Sequence, residues 1–186
     1  AVRLADALEE YGFSVNPDMV SFYEDMEKTY APTKAAGGNC VDTNEGSTVN
    51  EVPVKEYFAI SPDSMEGYKD AAIVVLGRDA GEGACFYPGA DGIVDPEEFS
   101  NSPTGNILSL SNAERALINY VENQGFKKIV VLLNSACAME IEELKQDDAV
   151  DSILWIGNPG CYGTYGIAEL LNGSVLPSGH LTDTYA

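Results

Sequence analysis

Three apolar runs of strand length constrain this chain more than anything else in it. Residues 71–77 read Ala-Ala-Ile-Val-Val-Leu-Gly, residues 129–134 Ile-Val-Val-Leu-Leu-Asn, and residues 152–156 Ser-Ile-Leu-Trp-Ile. None of them alternates between polar and apolar positions. A strand that is apolar on successive residues must be covered on both faces, which is the condition of a central parallel strand. Helical patterns fall between and after these runs. Ser111-Asn112-Ala113-Glu114 forms a capping box, followed by Ala116, Leu117, Tyr120 and Val121 on one face and Gly125 at the end. A short helix is predicted over 139–144, and a last one over 165–171, stopped by Asn172-Gly173.

Strand, helix, strand, helix, strand, helix at these spacings predicts an α/β fold. Its form should be a three-layer α/β/α sandwich built on a mostly parallel, flavodoxin-like open sheet. Ligands approach such sheets at the carboxyl ends of the strands. That rule gathers three segments on one rim: 78–86, 134–138 and 157–165. Upstream, residues 2–11 carry a helical pattern closed by Gly12, and Asn16-Pro17-Asp18 opens a second helix that runs through Met26. Residues 31–50 are rich in Gly, Thr, Asn and Ser without periodicity and read as a mobile loop. No repeat or low-complexity block divides the chain, so one domain over 1–186 is expected.

Composition removes several function classes. With 10 basic against 30 acidic residues the net charge is −20. Such a surface repels phosphate backbones and anionic headgroups, so neither nucleic acid nor a membrane is an expected partner. A neutral substrate suits it better. The apolar runs are far too short for a membrane span. Cys40, Cys85, Cys137 and Cys161 include no C-x-x-C pair, and His180 is the single histidine. Neither a zinc site nor a disulfide scaffold is expected from that inventory. The thiols together with the absence of a leader favour a cytoplasmic setting. A nucleotide turn is discouraged too. Gly157, Gly160, Gly163 and Gly166 recur at every third position instead of as G-x-G-x-x-G, so tight loop-to-helix packing explains them better.

Several segments, taken in order, resemble the α/β sandwich domain of glycoside hydrolase family 3, the β-glucosidase-type exo-acting enzymes. They are Leu4-Ala5-Asp6-Ala7-Leu8 leading to Gly12-Phe13-Ser14-Val15-Asn16; Asp70 through Leu76-Gly77-Arg78; Gly81-Glu82-Gly83; Val131-Leu132-Leu133-Asn134-Ser135; and Val150 through Trp155. The turn Gly157-Asn158-Pro159-Gly160 and the ending Pro177-Ser178-Gly179-His180-Leu181 complete the series. The likeness is weakest over 31–51 and 87–107. It implies retaining hydrolysis of a terminal β-linked sugar, with a β-linked oligosaccharide or glycoside as substrate. A barrel domain of the same parent chain would supply an Asp nucleophile, and the sandwich domain the general acid/base; no metal or organic cofactor is implied, because proton transfer and covalent glycosylation need none. On this resemblance the chain reads as one domain of a longer enzyme, incomplete at its N-terminus and inactive alone.

Matched residue by residue, the resemblance puts the acid/base at Glu82. The glycines beside it let the backbone turn sharply; a Glu between glycines is also what a solvated loop residue looks like. The position three further on, often Asp in the family, is Cys85 here. Arg78 offers a planar fork of donors that can hold sugar hydroxyls or the acid/base, or it is a surface Arg at a strand end. Asp79 is a further substrate-binding candidate and equally a turn residue. The alternative from another class is a non-catalytic, flavodoxin-like binding or interaction module. An exposed apolar face would speak for the two-domain enzyme, and its absence for the module.

Overall fold

The computed structural model describes residues 1–30, 51–78, 100–101 and 108–185. The loop expected over 31–50, and Asp79, Glu82 and Cys85, lie outside the described residues. All three apolar runs become strands: β1 (Ala72–Arg78), β2 (Ile129–Ser135) and β3 (Ser152–Trp155). They pair in parallel in the order β1-β2-β3, with Val74 opposite Val131 and Val131 opposite Ile153.

Because side chains alternate across a strand, this register sorts the sheet into two faces. Val74, Leu76 and Arg78 point one way with Val131, Leu133 and Ser135, while Ile73 and Val75 point the other way with Val130 and Leu132. The first face carries the main core. There, helix α5 (Asn112–Glu122) lays Leu117, Ile118 and Val121 on the sheet, a spacing that follows its 3.6-residue period. Helix α2 (Pro17–Tyr30) adds Met19, Phe22 and Met26, and the single turn α3 (Val54–Tyr57) adds Tyr57. A second single turn, α4 (Pro62–Met65), buries Met65 and passes into a 3₁₀ turn at Glu66–Tyr68. On the opposite face α1 (Leu4–Glu10) packs against α7 (Thr164–Leu171) around Ala7, Leu8 and Ala168, with Ile73 of the sheet beneath them. Helices therefore lie on both faces and the fold is α/β in three layers, but among the described residues only β2 is central: β1 and β3 are edges, with Val75 and Trp155 exposed where the apolar runs suggested cover on both sides.

Local signals account for most boundaries. The Asn16 side-chain oxygen accepts from the Asp18 and Met19 amides and so caps α2. The capping box of α5 forms in both directions: Ser111 Oγ accepts from the Glu114 amide at 3.1 Å, and Glu114 Oε2 accepts from the Ser111 amide at 2.7 Å. Two expectations change. Helix α2 continues to Tyr30, past the Met26 read from sequence. The helix predicted over 139–144 is a single turn, α6 (Glu142–Lys145). Met139 and Ile141 enter the core from the irregular backbone that precedes it.

Candidate functional site

The carboxyl ends of the three strands form one connected edge. Arg78 closes β1 and stands opposite Ser135, the last residue of β2. The Ser135 carbonyl accepts from Trp155 Nε1 at 2.8 Å, which joins the end of β3 to the same row. Ser135 Oγ donates to the Cys137 carbonyl and accepts from the Cys137 amide, folding the segment after β2 back on itself. Past β3, the glycine-rich turn holds the start of α7. A Cβ on Gly163 would stand 2.4 Å from the Pro159 carbonyl oxygen, so only glycine lets the two backbones meet there. The Val2 amide donates to the Cys161 carbonyl, and Thr164 Oγ1 donates to the Val2 carbonyl, stitching the N-terminal segment to this turn. Close packing is thus the physical reason for the glycine at 163.

At the β1 corner lies a buried polar cluster. Arg78 is 1% exposed and Glu114 2%. The guanidinium donates to both Glu114 oxygens, Nη1 to Oε1 at 2.6 Å and Nη2 to Oε2 at 2.8 Å. Nη2 also donates to the Ser109 carbonyl at 2.6 Å, and Nη1 to the Gly77 carbonyl at 2.8 Å. A planar fork matched to a carboxylate is the strong form of an ion pair, and burial keeps water from screening it. Ser109 continues the network, its hydroxyl donating to Glu140 Oε2 at 2.5 Å, while the Glu140 amide donates to the Leu108 carbonyl at 2.9 Å. Arg78, read from sequence as a group for sugar hydroxyls or for the acid/base, thus turns its fork into the protein. Asp79 and Glu82 follow it in the chain but lie outside the described residues.

A second carboxyl stands nearby. Glu51 accepts from the Val52 amide at 2.7 Å and from the Tyr57 hydroxyl at 3.4 Å, and the Tyr57 hydroxyl also meets that of Tyr23. Burial, with repulsion from Glu114 added to it, pushes the Glu51 carboxyl up to about 7. Burial likewise pushes the Tyr23 hydroxyl up to about 12, and holds the Tyr57 hydroxyl above its ordinary range as well. Sequence reading missed both carboxyls as members of a site. Glu114 was visible through its capping box, but nothing local links it to an Arg 36 residues away. Glu51 follows an aperiodic stretch and gives no local signal.

Among the described residues, no group of three His, Cys, Asp or Glu side chains could hold a metal ion. Nor is any helix among them long and apolar enough to cross a membrane. Cys137 is a half-buried free thiol, Cys161 an exposed one, and His180 is exposed. A groove of about 660 Å³ runs between β3, α7 and the C-terminal segment, lined by Trp155, Leu170, Leu176 and Leu181 among others. Its outer wall is apolar and open: Leu176 is 84% exposed, and Trp155 and Leu181 about half.

Comparison with known proteins agrees with this architecture. The family model of the glycosyl hydrolase family 3 C-terminal domain matches residues 8–186, and the chain belongs to that family. A β-glucosidase of Ruminococcus albus is 28% identical over 98% of this chain and 17% of its own length. β-Glucosidase A of Butyrivibrio fibrisolvens is 31% identical over 64% of this chain and 15% of its own. The corresponding figures for a β-xylosidase/α-L-arabinofuranosidase of Medicago sativa subsp. varia are 32%, 62% and 14%. Among solved structures, a β-glucosidase from Paenibacillus barengoltzii shares the fold with a TM-score of 0.66 at 22% identity, covering 99% of this chain and 18% of that one. The chain therefore spans less than a fifth of the length of the relatives it matches.

Proposed function

We propose that this chain is the sandwich domain of a retaining, exo-acting β-glycosidase, and that Glu82 is the general acid/base for hydrolysis of terminal β-linked sugars. The observation that carries the reading is the family match over residues 8–186, with Gly81-Glu82-Gly83 starting three residues past the carboxyl end of β1. In α/β sheets that edge is where ligands are met. A barrel domain in the same polypeptide would bring an Asp nucleophile to the other side of the glycosidic bond, ~5–5.5 Å from the acid/base carboxyl. Glu82 would protonate the departing glycosidic oxygen as the nucleophile attacks the anomeric carbon. In the second half it would take a proton from the water that releases the sugar. Neither step needs a cofactor. Asp79 is proposed as an acceptor for a substrate hydroxyl. Arg78, already committed to protein acceptors, would serve through the backbone that it fixes.

The exposed apolar wall at Trp155, Leu176 and Leu181 favours a domain that lies against a neighbour over a free-standing flavodoxin-like module. The test is aryl-β-glycoside hydrolysis by the polypeptide that joins this domain to its barrel, wild type against Glu82→Ala. The kcat/KM for a poor leaving group such as phenol should fall ~10²–10⁴-fold, while azide, which needs no base to attack the glycosyl-enzyme, should restore the turnover of a good leaving group such as 2,4-dinitrophenol with a β-glycosyl azide as product. Unchanged kinetics would remove Glu82 from the mechanism.

A further inference from the structure

Asn172-Gly173 ends α7 and is the only Asn-Gly pair in the chain. The pair carries chemistry of its own. An asparagine carboxamide can close a five-membered ring with the backbone nitrogen of the next residue, and a glycine there has no Cβ to obstruct the approach. Both residues are exposed to water. Gly173 takes a φ of +79°, and no atom within 4 Å occupies the place where its Cβ would stand.

The folded geometry holds the reacting atoms apart. Asn172 has a ψ of −2°, which sets the Gly173 nitrogen in line with the backbone nitrogen of Asn172 and away from its Cβ. Ring closure requires that angle to turn until nitrogen and Cβ align. Three hydrogen bonds resist the turn. The Gly173 amide donates to the Leu170 carbonyl at 3.2 Å, the Ser174 amide to Asn172 Oδ1 at 2.9 Å, and Asn172 Nδ2 to the Tyr11 carbonyl at 3.3 Å. The first of these also occupies the proton that the reaction must remove. All three belong to the last turn of α7 and the end of α1, and chain segments of that kind open far more readily than the whole fold.

We infer that Asn172-Gly173 is a site of spontaneous deamidation, gated by opening of the last turn of α7. The Gly173 nitrogen gives its proton to hydroxide and attacks Asn172 Cγ. A C–N bond forms there, the Cγ–Nδ2 bond breaks, and the side-chain nitrogen leaves as ammonia. Water then adds to one of the two ring carbonyls and opens the succinimide to aspartate or isoaspartate. Either product lacks the donor that held the Tyr11 carbonyl, and it places a new negative charge at a helix C-terminus, where the dipole disfavours it. Isoaspartate also adds a methylene to the main chain, which displaces the Ser174 and Val175 amides from the Glu169 carbonyl. The turn cannot close as before, so the packing of α1 on α7 loosens as the chain ages.

The experiment incubates the full polypeptide that contains this domain at mildly alkaline pH, in native buffer and in concentrated urea. Aspartate and isoaspartate at 172 are quantified by peptide mapping and mass spectrometry for wild type, Gly173→Ala and Ala168→Gly. The Ala168 carbonyl accepts from the Asn172 amide, and a glycine at 168 weakens the last turn without altering the reacting pair. In urea, wild type should react at 172 ahead of every other asparagine, and Gly173→Ala should remove that lead. Native buffer should slow the wild-type reaction roughly tenfold or more. Ala168→Gly should raise the native rate about fivefold and leave the urea rate unchanged. In the modified fraction, amide hydrogen exchange across α1 should quicken. Equal rates in buffer and urea, or a native rate indifferent to Ala168→Gly, would overturn the gate. A native chain that stays unmodified at 172 while the unfolded chain converts fully would overturn the site. Should Ala168→Gly not fold, wild type in urea below its unfolding transition decides the matter: the rate must climb with urea if the turn opens locally, and a flat rate would overturn the gate.

Discussion

Glu51 is a carboxyl taken out of water beside a second carboxyl, and it holds its proton accordingly. Its value rises from 4.5 to about 7, so between those limits the folded chain binds more protons than the unfolded one. Stability from this source is complete below about pH 4.5, declines as pH rises, and is gone above about pH 7. A shift of that size corresponds to something on the order of 3 kcal/mol. Glu51→Gln keeps an acceptor for the Val52 amide and removes both the charge and the repulsion from Glu114. Urea unfolding should show the variant more stable than wild type by up to a few kcal/mol at about pH 8, and indistinguishable from it at about pH 4. Equal pH dependence in the two proteins would place the Glu51 carboxylate in water. At this scale the sequence was only partly legible. Ser111 and Glu114 announced themselves because a capping box is written within four residues, while the Arg78–Glu114 pair joins positions 36 apart. Glu51 owes its state to neighbours that assemble only on folding.

At the scale of the element, the turn into α7 depends on contact more than on propensity. Gly160 takes a positive φ of 63°, yet a Cβ there would meet nothing within 4 Å. Gly163 has an ordinary helical φ of −65° but no room, with a backbone carbonyl 2.4 Å from any Cβ. A backbone obstruction does not swing aside as a side chain does. Gly163→Ala should therefore cost ~1–3 kcal/mol, more than the ~1 kcal/mol of strain expected for Gly160→Ala. Denaturant midpoints of the two variants check the order, and a reversed order would deny the close approach. The three strands were legible as apolar runs and α5 by its capping box and the spacing of Leu117 and Val121, although Ala116, read onto the buried face, is exposed and Ile118, not read there, is buried. Helices α3 and α4 were not legible, since a single turn of four residues is too short to show a period. The 139–144 stretch misled for a related reason. Met139, Ile141 and Leu144 all reach the core, but only Leu144 does so from a helix.

For the whole molecule, the alternation of strands and helices was enough to give the layers. It did not give the pairing of α1 with α7, because these helices come from opposite ends of the chain and meet over Ile73. Nor did it give the rim cluster, where Arg78, the 109–114 segment and Glu140 share one set of hydrogen bonds. The family resemblance reached further than periodicity could, because it rests on the order of several motifs along the chain.

The double engagement of Glu114 also sets an order in time. Its bond with Ser111 spans three residues and can form as soon as α5 begins to wind. Its bonds with Arg78 span 36 residues and wait until β1 has docked. Ser111→Ala should then chiefly slow refolding, and Arg78→Lys chiefly accelerate unfolding, in stopped-flow denaturant jumps. If so, the corner at the carboxyl end of β1 closes last during folding and opens first during unfolding. A polypeptide still leaving the ribosome would hold its sheet and helices before it held this buried ion pair.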